Sequence, residues 1–184
     1  MNLETKSLEF KATLNDDGTF SGYCSVFDNT DSYGEVVKKG AFLTSLNVWQ
    51  GKNKMPPILW QHSRSDVIGV WTKLYEDEKG LYGEGKLLIN DVAKAREAYA
   101  LIKNGAIDGL SIGYHTKKWA FNEDDDVLEL LELDLKEVSI VTFPANDDST
   151  VDNVKAERLQ AIKQSQVSND DVKQALAILN AIKF

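Results

Sequence analysis

The chain has 184 residues, 42% of them hydrophobic and 27% charged, with a net charge of −8. That length suffices for one domain with a real core. The acidic balance gives no general attraction to phosphate backbones, so nucleic acid is not an expected partner. The Lys38-Lys39 and Lys117-Lys118 pairs are too short to form a basic patch and read as solvated surface. No apolar run approaches the ~20 residues of a membrane span, so no membrane contact is expected. The opening MNLETKSLEFKATL lacks the basic, apolar and small-residue regions of a signal peptide. The expectation is a protein that stays in the compartment where it is made. A single cysteine, Cys24, excludes an internal disulfide and fits a reducing cytoplasm.

Alternation comes first along the chain. Leu8, Phe10, Ala12 and Leu14 share one parity, Asn15 to Gly18 supply turn chemistry, and Phe20, Gly22, Cys24 and Val26 alternate again. This pattern predicts a β-hairpin. Asp28 to Gly34 reads as a loop, and Ala41 to Gln50 as a short helix. Pro56-Pro57 forces an extended entry into Ile58 to Gln61. Strands are predicted over Ile68–Glu76 and Leu81–Leu88, joined by a polar turn that ends in Gly80.

The clearest helix runs from Asp91 to Asn104. Asn90 is the expected N-cap, Val92, Ala95, Tyr99 and Ile102 lie at helical spacing, and Gly105 ends it. A strand from Gly109 to Phe121, an acidic turn and a long β-like stretch from Val127 to Phe143 follow, and Pro144 to Asp148 close it. Two C-terminal helices are predicted, one marked by Val151, Val154, Leu159 and Ile162. The other opens on Ser168 with Asp171, a pair resembling a capping box. Strands up to Phe143, with helices inserted and appended, predict an α+β domain whose sheet closes into a barrel.

Few residues can carry chemistry. Only His62 and His115 are histidines, so a metal site of several His or Cys ligands is poorly supported. Asp28 to Gly34 faintly resembles part of a calcium loop, but the EF-hand spacing and its closing glutamate are missing. No metal and no cofactor are expected. Gly109-Leu110-Ser111-Ile112-Gly113 matches G-x-S-x-G. In α/β-hydrolases that motif turns from strand into helix, whereas here a helix precedes it and a strand follows. His115 follows the serine, as that fold requires, but four residues along one strand separate the two by about 13 Å at ~3.3 Å per residue.

His62 falls where an apolar strand runs into the polar stretch Ser63 to Asp66, an edge where active-site residues often sit. A local loop histidine is the plainer explanation, and most strand serines are merely small polar residues. In Leu131-Glu132-Leu133-Asp134-Leu135-Lys136-Glu137 the apolar parity carries on to Glu137. A carboxylate facing a core is costly unless paired, and orienting a catalytic histidine is one way to pair it. A bulge that shifts the parity and exposes Glu137 explains the pattern equally well. The residues alone leave both open.

Four blocks in order carry a resemblance. Phe27-Asp28, then Asp31 to Val37, Gly40-Ala41-Phe42 and Leu46 form the first, and Leu59-Trp60-Gln61-His62 with Ile68-Gly69 the second. Asn104 to Tyr114 form the third, and Leu135 to Asn146 the fourth. Over roughly residues 5–150 the chain resembles the prohead proteases of tailed bacteriophages. The resemblance implies a serine peptidase domain over 1–150, and the helical pattern of the residues beyond it makes 151–184 a helical C-terminal extension. It also implies a fold similar to the herpesvirus maturation proteases, a β-barrel ringed by helices. The family's serine falls on Ser111 and its histidine on His62. Glu137 lies in the closing block and takes the third place, with His115 as the alternative, because herpesvirus enzymes use a second histidine. The implied reaction is acyl transfer through an acyl-enzyme, and the backbone near Gly109 to Gly113 is the first place to seek an oxyanion hole. The implied partners are the major capsid protein with its scaffold segment, the portal, and the protease itself through self-cleavage or a homo-oligomer. The implied location is the assembling prohead in the bacterial host cytoplasm. An esterase and an inactive scaffold protein are the rival readings.

Overall fold

A computed structural model describes residues 4–9, 13–31 and 33–142, with side chains from Leu14 onward. The helices expected over 151–184 lie outside the described residues.

The strands are β1 (Glu4–Glu9), β2 (Thr13–Leu14), β3 (Thr19–Val26), β4 (Glu35–Val37), β5 (Ile58–Trp60), β6 (Ser63–Glu76), β7 (Gly80–Leu87), β8 (Gly109–Asn122) and β9 (Val127–Val141). Two helices, α1 (Leu43–Gly51) and α2 (Ala93–Lys103), are inserted among them. The strands form one mixed sheet in the order β1-β8-β9-β5-β6-β7-β3-β2, with β4 added beside β9. The sheet curls until β3 comes against β1 and β8, yet among the described residues no ladder joins its two ends. The described residues form a curled half-barrel with two helices, where a barrel ringed by helices was expected.

The first predicted hairpin is only half present. Leu14 pairs with Phe20 across the turn at Asn15 to Gly18. Leu8, however, belongs to β1 and faces Leu110 of β8 at the other end of the strand order. Alternation gives the strand but not its partner, because a period of two is satisfied against any neighbour.

β9 organises the rest. β8 runs antiparallel to it along its length, while β4 and β5 lie parallel on its other side, against Leu128–Leu130 and Val138–Ile140. The β9 backbone between β4 and β5 must find other partners, and α1 with the turn before it provides them. Leu133 N–H donates to the Ala41 carbonyl. Leu135 N–H donates to Ser45 Oγ at 2.9 Å, and Leu135 O accepts from Trp49 Nε1 at 2.9 Å. α1 has no side-chain cap of its own. Glu76 of β6 accepts from the N–H groups of Gly40 and Phe42 at 2.8 and 2.6 Å and fills that role.

α2 starts at Ala93 with Val92 as its N-cap and no side-chain cap bond, so Asn90 is not the cap that the sequence suggests. Asn90 lies in the preceding turn, where its carbonyl accepts from Arg96. The C-terminal expectation holds: Gly105 adopts φ +69°, its N–H reaches Ile102 O, and Ala106 N–H reaches Leu101 O. This double closure is the Schellman arrangement, and a left-handed residue is what makes glycine suitable there.

The core joins the inner face of the sheet to the helices through Phe42, Ile58, Ile68, Leu81, Leu110, Ile112, Leu130 and Val138, all fully or almost fully buried. Cys24 is enclosed as well, and burial pushes its thiol up, away from the reactive thiolate.

Candidate active site

His62 sits in a tight connection between two strands, not in an extended loop. It is the second residue of a two-residue turn between β5 and β6, whose flanking residues Trp60 and Ser63 are paired. Gln61 and His62 both adopt left-handed backbone, at φ +52° and +59°. A tight hairpin of this hand needs positive φ at both central positions, a need usually met by Asn-Gly. For side-chain-bearing residues each such angle costs on the order of 1 kcal/mol or more, and it persists only where the surroundings fix it. Here the fixing is visible. Gln61 N–H donates to Ile140 O, Gln61 Nε2 to Thr142 Oγ1 at 2.7 Å, and His62 N–H to Ser139 Oγ at 3.1 Å.

Glu137 owes its place to a bulge. Tyr114 faces Leu135 and Gly113 faces Glu137, so Lys136 is an extra residue on β9. Directly paired residues share a face, so Glu137 lies opposite to Leu135, not on the same side as parity suggested. A second irregularity upstream leaves Leu131 40% exposed, again against the simple alternation. The bulge does not expose the carboxylate: Glu137 is buried, because this part of the sheet is covered on both faces. Its Oε1 accepts from His62 Nδ1 at 2.7 Å, and its Oε2 accepts from Ser139 Oγ at 2.5 Å. A carboxylate accepts only, so in the neutral imidazole the tautomer that fits this contact carries its proton on Nδ1 and leaves Nε2 as the acceptor.

Gly113 makes room for this carboxylate. A Cβ on Gly113 would lie 2.1 Å from Glu137 Oε1. The second glycine of G-x-S-x-G therefore clears space for an acid on the neighbouring strand and forms no nucleophile elbow.

Ser111 lies on β8 directly opposite Ser139. Opposed residues hold their Cβ atoms about 5 Å apart, which puts Ser111 one strand spacing from the hydroxyl that holds the His62 turn. Neither serine has exposed surface. Over Gly109 to Gly113, β8 is laddered on both sides, to β1 and to β9. The backbone donors there are engaged, so the oxyanion hole expected from this stretch is not free in this conformation.

A cavity of about 290 Å³ opens on this face, lined by Leu59, His62, Arg64, His115, Lys136 and Glu137 among others. His115, the alternative third residue, thus shares the cavity. It stands opposite Asp134 on β9, while the Nδ1 side of His62 is taken by Glu137. Through Pro57 and Val67 the cavity adjoins a groove of about 760 Å³ that Met55, Val70 and Trp71 help to line. Among the described residues no group of three His, Cys, Asp or Glu could hold a metal, and no helix is long and apolar enough to cross a membrane. Ser139 is the residue that sequence reasoning missed. The signal was its position two residues after Glu137 in the closing block, which puts both on one face of a strand.

Comparison with known proteins sets this geometry in context. The model of the caudovirus prohead serine protease family matches residues 2–165. The chain belongs to that family. It is 32% identical to the prohead protease of Enterobacteria phage HK97 over 142 residues, 76% of this chain and 61% of that protein. The chain thus spans about three fifths of that relative. It is 30% identical over 162 residues to a probable capsid maturation protease of Lactococcus phage p2, covering 86% of each. Among solved structures, the bacteriophage T4 capsid assembly protease superimposes with a TM-score of 0.59 at 13% identity, over 77% of this chain and 99% of that one. That likeness is one of fold.

Proposed function

We propose that this prohead protease family member cleaves capsid-assembly proteins through Ser111, with His62 as its base and Glu137 orienting the imidazole. The observation that carries this reading is the 2.7 Å contact between His62 Nδ1 and a buried Glu137, one strand from Ser111. In the proposed reaction Ser111 Oγ attacks a peptide carbonyl while His62 Nε2 takes its proton, and the same proton then goes to the leaving amine. Water attacks the acyl-enzyme by the same route in reverse roles. Glu137 keeps the proton on Nδ1 and stabilises the imidazolium that forms. His115 shares the cavity, but the Glu137 contact favours the carboxylate as the third member.

The proposed substrates are the major capsid protein with its scaffold segment and the protease itself, with the portal as a further partner, inside the assembling prohead. The names of the relatives, prohead protease and capsid maturation protease, support the capsid part of this reading. The curled, β-rich sheet is compatible with a kinship to the herpesvirus maturation proteases. Ser111 has no exposed surface in this conformation; on this reading the surrounding chain opens before substrate binds, as in an enzyme held latent until assembly. Coexpression with the major capsid protein of the same virus tests the reading. Wild type should process it, and Ser111→Ala and His62→Ala should leave it intact. Undiminished processing by Ser111→Ala would overturn the nucleophile assignment.

A further inference from the structure

We infer that Ser139 is a positioning residue of this site, joining the backbone of the His62 turn to the carboxylate that orients its ring. The inference rests on the proposed roles of Ser111, His62 and Glu137.

Four groups close a ring. His62 N–H donates to Ser139 Oγ at 3.1 Å, Ser139 Oγ donates to Glu137 Oε2 at 2.5 Å, and Glu137 Oε1 accepts from His62 Nδ1 at 2.7 Å. The ring ends on the residue where it began, so one hydroxyl fixes both the main chain and the side chain of His62. Each part needs this. The turn holds left-handed angles that relax unless tethered. A glutamate held at one oxygen alone can still rotate its carboxylate plane, because its terminal torsion is broad. Anchoring Oε2 removes that freedom and leaves Oε1 aimed at Nδ1.

Other bonds cannot substitute. The Gln61 contacts to Ile140 and Thr142 hold the turn but do not reach the carboxylate. An apolar residue at 139 would take one partner each from the His62 N–H and from Glu137 Oε2 in an enclosed place, where a lost partner is costly. Ser139 Oγ donates to Glu137 and accepts from the His62 N–H, so both of its bonds hold the site together, and it does this directly opposite Ser111. A base displaced by about 1 Å can lose on the order of 10²-fold in rate, and that sets the expected size of the effect.

The test uses the full chain as Ser139→Ala and Ser139→Thr, with Ser111→Ala as reference. Processing of the coexpressed capsid protein, thermal unfolding, and the low-field proton NMR signal of an imidazole N–H held against a carboxylate are measured on each. Ser139→Ala should stay folded, lose its low-field signal and process the capsid protein roughly 10²-fold more slowly. Ser139→Thr keeps the hydroxyl and should recover both. Wild-type processing and an intact signal in Ser139→Ala would overturn the inference. So would an equal loss in both variants that tracks lowered unfolding temperature, since that marks a packing role. If Ser111→Ala still processes the capsid protein, the nucleophile reading is what fails. The NMR signal then decides Ser139 alone, and its persistence in Ser139→Ala refutes the role.

Discussion

Gly113 and Glu137 face each other across two strands, and the carboxylate fills the space that a side chain on Gly113 would need, with Oε1 2.1 Å from the position of a Cβ. Gly113→Ala therefore has to move Glu137 or the β9 backbone. The φ of Gly113 is not in the left-handed range, so alanine is tolerable to the backbone and the clash is the whole effect. Overpacking of this kind costs about 1–3 kcal/mol. Gly113→Ala should unfold at lower denaturant and lose capsid processing together. Glu137→Ala added to it should recover stability without recovering activity, as a double-mutant cycle would show.

Glu137→Gln keeps the shape but lets an amide N–H face His62, which favours the wrong tautomer. In serine proteases the equivalent change costs roughly 10⁴-fold in rate. Processing should fall by that order with little change in unfolding temperature. A fully active Glu137→Gln would move the third role elsewhere, with His115 the first place to look.

Ser45→Ala takes the acceptor from Leu135 N–H, a buried group just before the bulge that places Glu137. An unsatisfied buried donor costs about 1–3 kcal/mol. Urea unfolding should show that loss, and processing should slow because the bulge loses its anchor on α1.

Tyr23 OH donates to Asp77 Oδ2 at 2.7 Å, in the turn between β6 and β7. This bond, with the Lys79 and Gly80 amides, holds the Asp77 carboxyl below its ordinary value. A folded-state pKa below the unfolded one stabilises the protein above the unfolded value, near 4, and that stability is lost as pH falls through the folded value. Tyr23→Phe should raise the pH of acid unfolding, followed by circular dichroism, and leave neutral-pH processing unchanged.

Much of this was readable in the chain. The G-x-S-x-G stretch, read with its flanking elements, pointed away from an elbow, and its second glycine proves to answer to Glu137. The helix stop at Gly105 was legible because a left-handed cap is a local property of sequence. Other features were not local. Leu8 pairs at the far end of the strand order from Leu14, and only tertiary contacts decide that. The parity of Leu131 and Glu137 failed for one reason: bulges insert a residue without leaving a mark in the hydrophobic pattern. The turn at Gln61-His62 lacks the Asn or Gly that would announce it, because its angles are held by Ser139, Ile140 and Thr142, some eighty residues away.

The most direct measurement is peptide mapping of the fluorophosphonate adduct on the full chain, treated while it assembles with its capsid protein. One adduct should form, on Ser111; it should disappear in His62→Ala and form faster during assembly than on the purified chain. An adduct on any other residue, or equal labelling of Ser111 in His62→Ala, would contradict the roles of Ser111 and His62.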